Sequence, residues 1–145
     1  MKKICFVCLG NICRSPMAEF IMKDKVKKLG LDNEYLIVSR ATSNQEEGNP
    51  LYYLAKDILD KNNIPYTNHV ATKLEYSDYE KYDMFICMDE SNLRNTLRIF
   101  NEDKNNKVKK LLDRDVLDPW VTRNFQDAYN DIENGINNLF SIINK

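Results

Sequence analysis

An apolar run near the N-terminus leads directly into a polar loop and a helix start, and this stretch constrains the fold more than any other. Residues 3–7 are typical of a central parallel strand that is covered on both faces. Ser15 is a favourable N-cap residue, and Pro16 suits the first helical position, where a backbone N–H has no intrahelical partner. The stretch therefore predicts a strand, a short loop, and a helix over residues 16–29.

The loop between this strand and helix has the residues of an anion-binding site. A loop that enters a helix N-terminus directs several N–H groups and the positive end of the helix dipole at one point. Gly10 and, less readily, Asn11 tolerate the left-handed backbone that curls such a loop. Arg14 offers two parallel hydrogen bonds to a phosphate, and Cys8 would lie beneath the bound anion in a field that favours its thiolate. The sequence thus predicts a phosphate cradle with a nucleophile in its floor.

The rest of the chain alternates strand-like and helix-like segments. Further strands are predicted over residues 35–39, 84–88 and 108–112, and further helices at Asn49-Pro50, at Ser77 with Glu80 at capping-box spacing, at Ser91 and at Asn124. This alternation implies right-handed crossovers and a parallel sheet with helices on both faces. Ligands of such sheets bind beyond the carboxyl ends of the strands, where Cys8 lies. We expect an α/β fold in one domain that spans residues 1–145.

Composition excludes several classes of protein. The net charge of −1, with scattered Lys and Arg, gives no argument for nucleic-acid or membrane partners. No apolar run approaches the roughly 18–20 residues that span a bilayer, and the N-terminus lacks a signal-peptide cleavage site. The four cysteines, Cys5, Cys8, Cys13 and Cys87, follow neither a disulfide framework nor a metal-site spacing. We expect a cytoplasmic monomer with no metal or other cofactor.

The loop resembles the signature of the low-molecular-weight protein tyrosine phosphatases, Cys-x5-Arg-Ser near the N-terminus. The matching stretches, in chain order, are Val7 to Glu19 (VCLGNICRSPMAE), Ser39 to Ser43, His69 to Ala71, Cys87 to Asn92, and Asp118-Pro119. A bare Cys-x5-Arg occurs by chance in many chains, whereas the longer first stretch is specific. The resemblance covers essentially the whole chain and indicates a bacterial-type member. It implies a three-layer sandwich around a four-stranded parallel sheet in the order 2-1-3-4.

The resemblance also implies a reaction. Cys8 would attack the phosphorus of a phosphotyrosine in a protein substrate and form a phosphocysteine, Arg14 would bind the phosphate, and Asp118 would act as general acid and then as general base. Asp-Pro is also a common turn dipeptide, so the sequence alone does not bring Asp118 to Cys8. The predicted phosphate-binding loop comprises Leu9, Gly10, Asn11, Ile12, Cys13 and Ser15.

The sequence leaves two interpretations open for some residues of the loop. The Ser15 hydroxyl is at least an N-cap, but the family uses it to hydrogen-bond the nucleophilic sulfur, and the two geometries compete. Asn11, Ser39 and His69 match the polar residues that support the loop from below in the family. Cys13 is either a packed small side chain or, by family precedent, the disulfide partner of an oxidised Cys8.

The predicted substrate entrance departs from the family. Its candidates are Gln45, Glu46 and Trp120, together with Tyr52 and Tyr53. Eukaryotic members carry two tyrosines after Asp-Pro, where this chain has Trp-Val. An aromatic residue often found in the other wall is replaced here by Gln45, with two acids following it, so substrate preference is open.

Three rival functions follow from the same residues. Phosphoarginine phosphatases of this architecture place a threonine where this chain has Ile12, and an apolar branched side chain suits a phenyl ring better. Arsenate reductases need two further cysteines on a mobile segment, and this chain offers only Cys87, in a predicted strand. A phosphate-binding module without activity is disfavoured, because Cys8, Arg14 and Asp118 are all present.

Overall fold

A computed structural model of the chain describes residues 1–144. Its four strands are β1 (Lys2–Cys8), β2 (Tyr35–Ala41), β3 (Met84–Cys87) and β4 (Val108–Lys110), and its helices are α1 (Arg14–Lys28), α2 (Tyr53–Lys61), α3 (Glu90–Phe100), α4 (Pro119–Thr122) and α5 (Phe125–Ile143). Every strand pairing is parallel, and the strand order is β2-β1-β3-β4. The predicted sheet order 2-1-3-4 is confirmed.

Strand β1 is buried on both faces, as its apolar sequence predicts. Ile4, Phe6 and Cys8 point into a core shared with α1, α2 and α5. Cys5 and Val7 point into a second core on the side of α3. Since successive side chains of a strand alternate between faces, one short run fills both cores and fixes the three-layer sandwich.

The carboxyl edge of the sheet gathers the segments that form the site. Cys8 is the last residue of β1 and pairs in register with Ala41, the last residue of β2. On the other side, Val7 pairs with Cys87, the last residue of β3. Because the strands are parallel, the loops that leave them all emerge at this edge, next to the start of α1.

Two predicted helix starts are wrong, each because a tertiary contact prevails over a local signal. Helix α2 begins at Tyr53 rather than at Asn49-Pro50, since the Tyr52 N–H donates instead to the Ile12 carbonyl across 3.0 Å. The predicted Ser77–Glu80 capping box is replaced by one between Glu75 and Asp78, which begins a short 3₁₀ turn.

The other boundaries lie close to their predicted positions. The Asn124 side chain caps α5, as predicted, by accepting a hydrogen bond from the Asp127 N–H across 3.0 Å. Helix α3 begins one residue earlier than predicted, with Asp89 as its N-cap. The single turn of α4 after Asp118 is not predicted. Among the helices described, none is both long and apolar enough to cross a membrane.

Candidate active site

A cavity of about 130 Å³ opens at the carboxyl end of β1. Its lining contains the predicted catalytic residues, every residue of the predicted phosphate-binding loop except Ser15, and three of the entrance candidates: Cys8, Leu9, Gly10, Asn11, Ile12, Cys13, Arg14, Gln45, Glu46, Asp118 and Trp120. Residues from three distant parts of the sequence therefore share one small cavity. Tyr52 and Tyr53, also considered for the entrance, are not part of its lining.

The sulfur of Cys8 has two hydrogen-bond partners. It lies 3.0 Å from the Ser15 hydroxyl oxygen, and the Asn11 backbone N–H donates to it across 3.3 Å. The prediction of Ser15 as N-cap is wrong, because α1 begins at Arg14 and Cys13 occupies the cap position without a side-chain bond. The buried hydroxyl is thus free to contact the sulfur.

Asn11 holds the curled backbone of the loop. It has φ of 60°, so the left-handed position falls here and not at Gly10, which the sequence favoured. Its amide nitrogen donates to the hydroxyls of Ser15 and Ser39 across 2.8 and 2.9 Å, and its amide oxygen accepts from the Thr72 N–H across 3.0 Å. The fully buried Asn11 therefore ties the loop to three neighbouring segments.

Gly10 allows a neighbouring loop to approach closely. A Cβ at this position would lie 3.2 Å from Cγ of Glu46, tighter than ordinary van der Waals contact. The absence of a side chain lets the loop of residues 43–49 pack closely against the phosphate loop, and it places Glu46 beside the cavity.

Five carbonyl groups of the loop accept hydrogen bonds from donors outside the cavity. Because a carbonyl only accepts, His69 carries its proton on Nε2 when it bonds to Asn11. The acceptors and their donors are Cys8 with Thr42 N, Leu9 with Ser43 N, Asn11 with His69 Nε2, Ile12 with Tyr52 N, and Cys13 with Met17 N, at 2.7–3.1 Å. With these carbonyls bonded elsewhere, the N–H groups of the loop that are not bonded remain available to an anion.

Arg14 is buried and held in place before any anion binds. Its Nη1 donates to Asp89 Oδ2 across 2.8 Å and to the Val116 carbonyl across 2.7 Å. Burial lowers the pKa of Arg14, but the field of Cys8 and the hydrogen bond to Asp89 more than offset it, so the pKa is raised overall. The guanidinium stays charged, with Nη2 on the side of Asp118.

Asp118 is positioned by the turn that it caps. Its Oδ1 accepts a hydrogen bond from the Trp120 N–H across 3.0 Å, while its Oδ2 lies 3.8 Å from Nη2 of Arg14. The Asp-Pro turn therefore holds one oxygen of Asp118 and leaves the other, Oδ2, on the side of the cavity near Arg14.

Two carboxylates that contribute to the site are not predicted from the sequence. Asp89 is one, although its spacing from Asn92 is that of a helix N-cap. The other is Glu19, whose Oε1 accepts from the Ser39 hydroxyl across 2.6 Å and whose Oε2 pairs with Lys23 at 2.5 Å. Its helical spacing of four residues from both Ser15 and Lys23 was the available signal.

Comparison with known proteins decides the family. The model of the low molecular weight phosphotyrosine protein phosphatases matches residues 3–145. The chain belongs to this family. It is 42% identical over 109 residues to the low molecular weight phosphotyrosine protein phosphatase of Gallus gallus, covering 75% of this chain and 68% of that one. It is 35% identical to the low molecular weight protein-tyrosine-phosphatase PtpA of Staphylococcus aureus strain RF122, covering 100% of this chain and 96% of the relative.

A solved structure agrees with the sequence relatives. The low molecular weight protein tyrosine phosphatase SP-PTP from Streptococcus pyogenes superposes with a TM-score of 0.93 at 37% identity, covering 99% of this chain and 93% of that one. Membership makes the chain a protein tyrosine phosphatase, a hydrolase that acts on phosphoproteins.

The cysteines of this phosphatase are all free and buried. Burial raises the pKa of Cys13, with Cys8 and Asp118 adding to the rise and Arg14 and Arg123 opposing it. Burial also raises the pKa of Cys87, to about 12. Among the described residues, no group of three or more His, Cys, Asp or Glu side chains is arranged to hold a metal ion.

The entrance of this phosphatase has one aromatic wall and one polar wall. Trp120 is 49% exposed, and its ring packs against Tyr52 with centroids 4.7 Å apart. Gln45 is exposed and Glu46 half-buried on the other wall, where Glu46 Oε2 accepts from the Asn49 side chain across 2.6 Å. The entrance therefore offers a flat apolar surface on one side only.

Proposed function

We propose that this phosphatase hydrolyses phosphotyrosine in two covalent steps, with Cys8 as nucleophile, Arg14 as phosphate ligand and Asp118 as general acid and base. The arrangement of these three side chains around one cavity of about 130 Å³ carries the proposal. A nucleophile below, a fixed cation beside it and a carboxylate above are the groups that phosphoryl transfer requires.

In the first step the thiolate of Cys8 attacks phosphorus, and the S–P bond forms as the P–O bond to tyrosine breaks. Asp118 gives its proton to the departing phenolic oxygen, which needs one because the pKa of tyrosine is about 10. The hydroxyl of Ser15, 3.0 Å from the sulfur, stabilises the thiolate before attack. The loop N–H groups and Arg14 bind the oxygens of the phosphoryl group as it transfers.

In the second step water attacks phosphorus while the Asp118 carboxylate accepts a proton from it. The S–P bond breaks, phosphate is released, and the electron pair returns to sulfur as the thiolate. One carboxylate thus serves both steps, because the first leaves it in the ionised form that the second needs.

A preference for phosphotyrosine over phosphoarginine rests on Ile12. This side chain packs against the apolar core and lines the cavity, where it gives a phenyl ring an apolar contact. A guanidinium group in the same place would lose hydration without gaining a partner from Ile12. Arsenate reduction is disfavoured because Cys87, the cysteine outside the N-terminal strand and loop, is buried in β3.

The remaining expectations belong to the same proposal. The enzyme acts as a cytoplasmic monomer on phosphotyrosine-containing proteins and uses neither nucleic acid nor membrane as a partner. The balanced net charge of −1 gives no electrostatic attraction to nucleic acid or membrane. Light scattering of the purified protein tests whether it is a monomer, since a dimer would have twice the mass.

The decisive experiment measures phosphate release with chelator present, using para-nitrophenyl phosphate, a phosphotyrosine peptide and a phosphoarginine peptide. Cys8→Ser abolishes turnover, whereas Cys87→Ser retains it. Asp118→Asn slows hydrolysis of the phosphotyrosine peptide by roughly 10²–10⁴-fold. It slows para-nitrophenyl phosphate less, because para-nitrophenolate departs without a proton. Asp113→Asn, an exposed carboxylate of the same segment, is the matched control.

Each outcome discriminates between functions. Turnover of phosphoarginine alone would keep the mechanism and refute the argument from Ile12. If Asp118→Asn slowed hydrolysis of para-nitrophenyl phosphate and of the phosphotyrosine peptide by the same factor, Asp118 would not be the general acid. No turnover of any substrate by the reduced wild-type enzyme would overturn the proposal.

A further inference from the structure

Arg123 is a cation at the edge of the cavity, in contact with Trp120, which lines it. It ends α4 with φ of 61°, and its guanidinium lies over the rings of Tyr52, Trp120 and Phe125 at 5.8–5.9 Å. These contacts hold a flexible side chain against the aromatic wall of the entrance.

The charge of Arg123 is available to a ligand. Its guanidinium donates to the Trp120 carbonyl and the Tyr52 hydroxyl across 3.4 and 3.3 Å, both uncharged and both long. Within residues 1–144, no carboxylate pairs with it, in contrast to Arg14 and Arg114. The side chain is exposed, so a ligand at the entrance can reach it.

The field of Arg123 extends into the cavity. It opposes the rise in the pKa of Cys13, together with Arg14, and Cys13 lines the cavity itself. The other wall carries the opposite charge, with Glu46 beside Gly10 and the exposed Glu47 next in the chain. The rim therefore carries the cation Arg123 on the side of α4, where Asp118 already faces Arg14, and two carboxylates on the side of residues 45–47.

We infer that this rim selects the charge polarity of the peptide around the phosphotyrosine, with Arg123 binding a substrate carboxylate on one flank and Glu46 and Glu47 favouring a basic residue on the other. The inference rests on the proposed function, since it places the phosphotyrosine side chain in the cavity. The flanking residues then pass over the rim, where each flank meets one sign of charge.

The test uses two phosphotyrosine peptides that differ only in the order of their flanks. One has two Asp residues before the phosphotyrosine and two Lys residues after it, and the other has the reverse. Their composition and net charge are identical, so any difference in kcat/KM reports polarity. We expect the wild-type enzyme to discriminate roughly three- to tenfold, the sum of a few exposed charge pairs, and less in 0.5 M salt.

Substitutions at the rim show which residues cause the difference in kcat/KM between the two peptides. Arg123→Gln and Glu47→Gln each reduce the ratio between the two peptides, and Arg123→Glu abolishes it or inverts it. The matched control is Arg98→Gln, an exposed arginine near the far end of α3 that donates to Asn95. The ratio cancels any change that affects both peptides alike.

The results separate this inference from the proposed function. Turnover of both peptides at equal kcat/KM, or a ratio that Arg123→Gln leaves unchanged, overturns the inference alone. Failure of the wild-type enzyme to hydrolyse either peptide or para-nitrophenyl phosphate overturns the proposed function instead.

Discussion

The substitution Asn11→Ala tests how the phosphate loop is held. The native side chain makes three hydrogen bonds, to Ser15, Ser39 and Thr72, and it is fully buried. Each such bond contributes about 1 kcal/mol, so their loss costs about 3 kcal/mol. Alanine also tolerates φ of 60° less well than asparagine, which adds about 1 kcal/mol. We expect the free energy of unfolding to fall by about 4 kcal/mol.

A matched substitution separates the two contributions. Asn63 has φ of 58° near the exposed end of α2, so Asn63→Ala carries the backbone cost without the buried network. We expect it to lower the free energy of unfolding by about 1 kcal/mol. Urea denaturation measures both variants, and phosphatase activity should fall only in Asn11→Ala. Equal destabilisation of the two variants would refute the view that the Asn11 side chain holds the loop.

Three further predictions concern other parts of the enzyme. Ser15→Ala removes a hydrogen bond to a thiolate and should slow turnover of para-nitrophenyl phosphate about 10–100-fold, whereas Ser141→Ala should not; equal rates would contradict the role of the hydroxyl. Gly135→Ala places a Cβ 2.5 Å from Leu111 Cγ and should cost about 1–3 kcal/mol in thermal unfolding, partly recovered by also truncating Leu111; an unchanged Tm would contradict this. Because burial raises the pKa of Cys87 to about 12, the unfolded thiol ionises first, so stability falls as pH rises above about 9, and Cys87→Ser should show a shallower decline; parallel curves would refute it.

The sequence predicts the parts of the site that are local. Cys8 and Arg14 end up on one cavity because a strand end and a helix start fix both ends of a short loop. The alternation of strands and helices likewise leads to a parallel sheet, and the family resemblance supplies its order. These features depend on near neighbours in the chain, so periodicity and spacing suffice.

The sequence does not predict contacts between distant segments. Asp89 and Val116 hold Arg14, yet neither carries a local mark of that function. Ser15 has the propensity of an N-cap, but its bond to sulfur replaces that role because α1 starts earlier. The left-handed residue is Asn11 rather than Gly10 because its amide group finds three hydrogen-bond partners, which outweighs the intrinsic freedom of glycine.

The outward bonds of the loop carbonyls have an evolutionary consequence. Three of the donors, at Thr42, Ser43 and Tyr52, are backbone amides of segments that flank the entrance. A backbone amide is supplied by any residue except proline, so side chains along these segments can change without moving the reactive geometry. Substrate preference can therefore change during evolution while the catalytic residues keep their positions. Gln45, which lines the cavity two residues after Ser43, is one side chain that can change without disturbing the phosphate-binding loop.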